Sequence, residues 1–241
     1  QMISEWLGVP FDKVRVIQGD TDRVALGRGT YASRSMVVGG SALRRAADAI
    51  IEKGKLIAAH LMETSAEDIE FNDGNFSIAG TDRSMNIAQI ALAASRPMMV
   101  PAELGVGLAE TGGFAVTQPS FPNGCHICEI EIDPETGAAK IIRYAIVDDF
   151  GTVINPMVVY GQVHGGVVQG IGEALFEEVV YDSDSGQLLS GSYMDYCMPR
   201  ADDLPNFEIE FHNVPCTSNP IGVKGAGEGG TVGATPTIIS A

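Results

Sequence analysis

One carboxylate stands out by what surrounds it. Glu228 sits in the string Gly225-Ala226-Gly227-Glu228-Gly229-Gly230. Glycine on both sides strips away neighbouring side chains and lets a ligand come close to the backbone. A single carboxylate then projects into the space, and a secluded pocket would tune it as a general base. The flanking glycines also permit a backbone conformation closed to most residues. The string matches GxGxxG, but a dinucleotide fold wants a strand before it, and a carboxylate inside a phosphate loop would repel a diphosphate. A mobile solvent loop is the other reading.

Two further segments carry groups that bind. Gly27-Arg28-Gly29-Thr30-Tyr31-Ala32-Ser33-Arg34-Ser35 precedes a long helical pattern. Its amides and hydroxyls suit an anion at a helix N-terminus, and the two arginines supply positive charge. Plain N-capping by Ser33 or Ser35 is the alternative. Gln162 and Gln169-Gly170 lie on an apolar, Gly-rich helical stretch. A glutamine amide has two donors and an acceptor, which fits the edge of a heterocycle; a surface position is the alternative. Glu173, Glu177 and Glu178 read as the solvated side of that helix. Cys125-His126-Ile127-Cys128 has zinc-like spacing, yet it has no second ligand pair and alternates like a strand, so no protein metal ligand is expected.

Composition narrows the class. Fifteen Lys and Arg against 31 Asp and Glu give a net charge of −16, a field that opposes nucleic acid. Four cysteines in 241 residues argue against a disulfide scaffold and fit a reducing, cytoplasmic setting. No apolar run reaches the ~20 residues of a membrane span. The 29 glycines gather at 27–29, 105–113, 161–172 and 222–233, where backbone must approach something closely.

The elements that position these groups follow from periodicity. Residues 1–8 read as a helix stopped at Gly8, 14–18 as a short strand, 20–35 as a loop and 35–63 as a long helix interrupted by Gly54. Ile69 to Ile78 is a hairpin turning at Asp73-Gly74, and 86–94 is a short helix. A Pro/Gly-rich connection spans 97–123. Strands are expected at 128–132, 141–147, 179–181, 188–193 and 207–211, a helix at 156–176, a Gly loop at 219–235 and a helix from 236. The result is an α+β fold of two related units, residues 1–110 and 111–241, each a small sheet with one long helix. The start at Gln1 and the apolar end read as cuts in a longer chain.

Three of these segments, in this order, resemble one family. The chain is similar to the C-terminal part of the molybdenum hydroxylase large subunit, the family of xanthine dehydrogenase, aldehyde oxidase and aerobic carbon monoxide dehydrogenase. Gly29-Thr30-Tyr31-Ala32-Ser33-Arg34-Ser35 looks like its first pterin-binding loop, Gly161-Gln162-Val163 with Val168-Gln169-Gly170-Ile171-Gly172 like its second, and Gly222 to Gly230 like its catalytic Glu loop. Asp133 to Gly137 and Asn155-Pro156 also fit. The resemblance implies Glu228 as base and Gly29, Thr30, Ala32, Ser33, Arg34, Ser35, Gln162, Gln169, Gly170, Lys224, Gly225, Ala226 and Gly227 around the cofactor. It implies a molybdenum–molybdopterin cofactor in its cytosine dinucleotide form, with the cofactor doing the redox chemistry. It also implies [2Fe–2S] clusters and FAD in other domains or subunits, the preceding part of the molybdenum domain as partner, and a homodimeric complex. The activity implied is hydroxylation of a C–H carbon of an aldehyde or N-heterocycle, or oxidation of CO, with the isolated piece inactive. A non-redox nucleotide- or anion-binding module and an acidic assembly domain are the alternatives.

Overall fold

The computed structural model describes residues 1–24 and 26–241; Ala25, inside the expected 20–35 loop, lies outside them. The fold is mixed α+β, in two compact units. One comprises residues 1–29 and 37–117, the other residues 30–36 and 118–241. The loop at 30–36 thus packs with the second unit. No helix among the described residues is long and apolar enough to cross a membrane.

The first unit is built on α2 (Ser41–Met62), entered through a wider π turn at Met36–Gly40. Its Ile57, Ala58 and Met62 bury against a three-stranded antiparallel sheet, β1 (Ile69–Asn72), β2 (Asn75–Ile78) and β3 (Ser84–Asn86). The hairpin turns at Asp73-Gly74, both with positive φ (43° and 74°), as a tight two-residue turn demands. β3 escapes sequence reading because three residues are too few to show alternation. The short helix α3 (Ile87–Ala94) starts with a capping box, Asn86 and Gln89 each accepting the other's amide at 2.9 and 2.8 Å. α1 (Met2–Leu7) ends at Gly8 as expected. The strand expected at 14–18 does not form: the segment is irregular after a 3₁₀ turn at Phe11–Lys13, and among the described residues no strand pairs with it.

The second unit carries a three-stranded sheet in the order β4 (Asn123–Ile132), β5 (Ala139–Asp149), β6 (Phe207–Phe211), antiparallel then parallel. A bulge opposite Glu129/Ile130 shifts the register. It lets Ile141 and Tyr144, three apart, both face inward. Two helices cover that face, α4 (Pro156–Leu175) and α5 (Gly229–Ser240). Val163, Val167 and Ile171 of α4 are fully buried, as their spacing predicts. Two expected strands are absent: 179–181 and 188–193 meet only through a single bridge, Tyr181 to Leu188. Glu177 is half-buried rather than solvated, accepting a hydrogen bond from Tyr196 Oη at 2.8 Å.

α5 starts seven residues before the expected position. Gly229, Gly230, Gly233 and Pro236 are poor helix formers, so only packing explains the helix. A Cβ on Gly230 would stand 2.6 Å from Val163 O, and one on Gly166 2.9 Å from the Thr231 amide. The two backbones touch, and no side chain fits between them.

The same argument reverses the meaning of Gly54. It does not interrupt α2; a Cβ there would stand 2.3 Å from the Phe76 ring. Gly54→Ala should therefore destabilise the protein by about 1–2 kcal/mol, overpacking outweighing the ~1 kcal/mol gain in helix propensity. Urea denaturation checks it, and Phe76→Leu in the same chain should recover part of the loss.

Candidate functional site

Glu228 stands immediately before α5, at φ −121°. Its Oε2 accepts a hydrogen bond of 2.6 Å from Ser33 Oγ, a residue 195 positions earlier. Ser33 and Ala32 both hold left-handed backbone, φ 51° and 50°, a conformation costly for residues with a Cβ. The Gly loop is shaped differently from the sequence expectation. Of its glycines only Gly222 has positive φ. Gly225 and Gly227 are needed for close approach: a Cβ on Gly225 would lie 2.7 Å from Ser33 Cβ, and one on Gly227 3.1 Å from Ser33 Oγ and 3.8 Å from Gln162 Nε2. The first and third segments therefore meet, with one glutamine of the second beside them.

The loop is tied down before it reaches Glu228. Val223 pairs with Gly151 and is 2% exposed. Asn219 Nδ2 donates to Val223 O at 2.9 Å, and its Oδ1 accepts the Val223 amide. This anchoring excludes a mobile solvent loop, and the lone bridge is no Rossmann strand.

A cavity of about 380 Å³ opens beside Glu228. Ala32, Ser33, Asn123, His126, Asp148 and Phe150 line it with the glycines of the loop and of α5. Beneath it lies a polar network that sequence reading missed. His126 Nε2 is 3.2 Å from Asp148 Oδ1, and Nδ1 is 3.0 Å from Tyr144 Oη. With the ring proton on Nε2, His126 donates to Asp148 and accepts from Tyr144. Burial pushes the Tyr144 phenol up to about 12, so it keeps the proton it donates. Both His126 and Asp148 side chains are 5% exposed, and Asp148 Oδ2 has no partner among the described residues. The available signal was Asp148-Asp149, two acids directly after the apolar run Ala145-Ile146-Val147.

The other expected site residues fall into two groups. Gln169 is 3.4 Å from Thr231 Oγ1, on the same helix as Gln162 but two turns on. Thr30 and Ser35 hydroxyls pair at 2.5 Å, and the Arg34 guanidinium stacks 4.0 Å over Tyr31. Gly29 holds φ 69°. Gly170 packs on Ala234 and the Thr235 backbone, and Ala226 on the core. Lys224 Nζ turns inward to Asp149 Oδ2, 2.5 Å away. Cys125 and Cys128, three apart on β4, point to opposite faces, which a shared metal ion would not allow.

Asp149 and Asp148 give two stability predictions. Burial raises the Asp149 carboxyl, but the Lys224 ammonium and the Gly151 and Val214 amides outweigh it, and the net shift is downward. Its contribution is complete above the ordinary aspartate value near 4 and is lost as pH falls through the lower folded value. The urea midpoint of the wild type should accordingly fall more steeply with acid than that of Asp149→Asn/Lys224→Gln. His126→Leu leaves Asp148 as an unpaired buried charge and should cost about 3 kcal/mol. His126→Leu/Asp148→Leu should cost less than that single change, as chemical denaturation of both would report.

Comparison with known proteins gives the family. Residues 1–205 match the family model of the molybdopterin cofactor-binding domain. The nicotine 6-hydroxylase large subunit of Paenarthrobacter nicotinovorans is 40% identical across 100% of this chain, which spans 30% of that protein. The carbon monoxide dehydrogenase large chain of Hydrogenophaga pseudoflava is 36% identical, again over 100% of this chain and 30% of its own length. Among solved structures, quinoline 2-oxidoreductase from Pseudomonas putida 86 superposes with a TM-score of 0.90 at 36% identity, over 100% of this chain and 30% of that one. The chain thus spans about 30% of the length of the relatives it matches. By the family model and these relatives, the chain belongs to the molybdopterin cofactor-binding domain family of molybdenum hydroxylases.

Proposed function

We propose that this chain is the part of a molybdenum hydroxylase large subunit that walls the cofactor and supplies the base, Glu228. The observation that carries the reading is the Ser33–Glu228 hydrogen bond at the mouth of a glycine-cleared cavity. The residues fit the group. Gly225 and Gly227 leave a cradle that a Cβ would fill, and the nearby donors are hydroxyls, amides and one glutamine. Ser33, the amides of residues 32–35, Gln162 and Gln169 would hold the pterin, in its cytosine dinucleotide form. Gly29, Thr30, Arg34, Ser35 and Gly170 shape the two loops.

The overall reaction replaces C–H by C–OH with water as oxygen source, releasing two electrons and two protons. When bound, the molybdenum pterin takes up those electrons. Glu228 takes a proton from the water-derived oxygen at Oε1, the oxygen free of Ser33. Ser33 fixes the carboxylate's rotation through Oε2, so that Oε1 is already aimed. Phe150, packed against Gly229 and buried, lines the cavity with an apolar ring.

The 40% identity to a large subunit named for nicotine supports an aromatic N-heterocycle as substrate. Electrons would leave through [2Fe–2S] and FAD partners in a cytoplasmic, homodimeric complex.

The test uses the full-length complex, assayed with nicotine, quinoline, xanthine, benzaldehyde and CO and a dye acceptor. Turnover should be fastest with one of the heterocycles. Glu228→Gln should keep molybdenum content and lower kcat by at least ~10². Full turnover in that variant with full metal loading would remove Glu228 from the chemistry.

A further inference from the structure

Lys224 precedes Glu228 by four residues, yet its side chain does not line the cavity and is 11% exposed. It sits on Asp149 Oδ2. The other carboxylate oxygen, Oδ1, accepts the Gly151 amide at 2.8 Å and the Val214 amide at 3.0 Å. A carboxylate bonded on both oxygens has no freedom to swing, and neither has the lysine it holds. The main chain repeats the grip: the Lys224 amide donates to Phe150 O at 2.8 Å. The same Phe150 ring lies where a Gly229 Cβ would be, 2.7 Å away. The end of β5 therefore holds the loop at 224 and again at 229, and Glu228 lies between the two points.

We infer that the buried Asp149–Lys224 ion pair is a positioning device for Glu228. It sets the position from which the carboxylate meets Ser33, and Lys224 is not a contact to the anionic cofactor. The inference rests on the proposed role of Glu228 for its kinetic effect, though its structural part does not. Burying an ion pair is a poor way to gain stability, since desolvation opposes the attraction. A fixed distance between strand end and loop is what such a pair provides. The glycines that follow Lys224 cannot define the loop's course by their own side chains, so the definition has to come from its anchor.

The experiment compares Lys224→Gln, Asp149→Asn and the double variant in the full-length molybdenum complex. The readouts are molybdenum content, kcat and KM for the panel compound turned over fastest, and hydrogen exchange of the 225–230 amides. Each single variant should keep its molybdenum, lower kcat by about 10- to 100-fold with KM little changed, and speed exchange at 225–230 by at least about fivefold. The double variant replaces the ion pair by a neutral amide pair and should recover most of both losses. If a single variant fails to fold, Lys224→Arg, which keeps the charge but moves it, should still lower kcat with full metal loading. Loss of molybdenum in Lys224→Gln but not in Asp149→Asn would overturn the inference, because the lysine would then hold the cofactor. So would unchanged exchange, or losses in the double variant equal to the product of the singles. Glu228→Gln is run beside them: undiminished turnover there counts against the base, while the exchange data still decide the anchor.

Discussion

The second unit depends on a contact between two helices that have given up their side chains. Gly166 and Gly170 of α4 face Gly230, Thr231 and Ala234 of α5, and a Cβ on Gly170 would come within 2.6 Å of that of Ala234. Small residues let the two backbones come into direct contact. Thr231 Oγ1 then reaches across to Gly166 O at 2.9 Å. Because α5 begins at Gly229, its placement on α4 places Glu228 as well. The carboxylate inherits the rigidity of a helix pair although it is itself in a loop.

A second constraint comes from the strand side. β5 ends in two buried acids on successive, opposite-facing positions. Asp148 reaches His126 under α5, and Asp149 reaches Lys224 in the loop. Gly233 touches the His126 ring, a Cβ there lying 2.5 Å from it. One strand end thus contacts both the helix that follows Glu228 and the loop that precedes it. This division explains why a run of glycines, which alone would wander, holds one course.

What could be read from the sequence follows from which forces act locally. The hairpin at Asp73-Gly74, the Asn86-capped helix and the apolar spacing of α4 are local signals, and the structure has them. α5 was unreadable before Pro236 because its first turns carry residues that disfavour helix, and only α4 makes them helical. The strand at 14–18 had alternation but no partner strand. In the site, the glycines around Glu228 were informative about closeness and misleading about backbone angle. The ion pair of Lys224 with Asp149 was not legible, because the two are 75 residues apart in sequence. His126 was hidden inside a pattern that strand alternation explained fully.

The left-handed pair Ala32-Ser33 has a consequence in time. Its conformation is unfavourable by itself, and what holds it is Glu228 and Gly225, about 195 residues later. A ribosome adding 5–20 residues per second needs about 10–40 s to make the intervening chain. Throughout that interval Ser33 lacks the carboxylate it donates to, although the segments flanking residues 30–36 belong to a unit that ends at residue 117. The first unit can fold before the Ser33–Glu228 hydrogen bond exists, and that bond forms only after residue 228 has been made. Synthesis of the carboxylate and completion of its pocket are therefore one event.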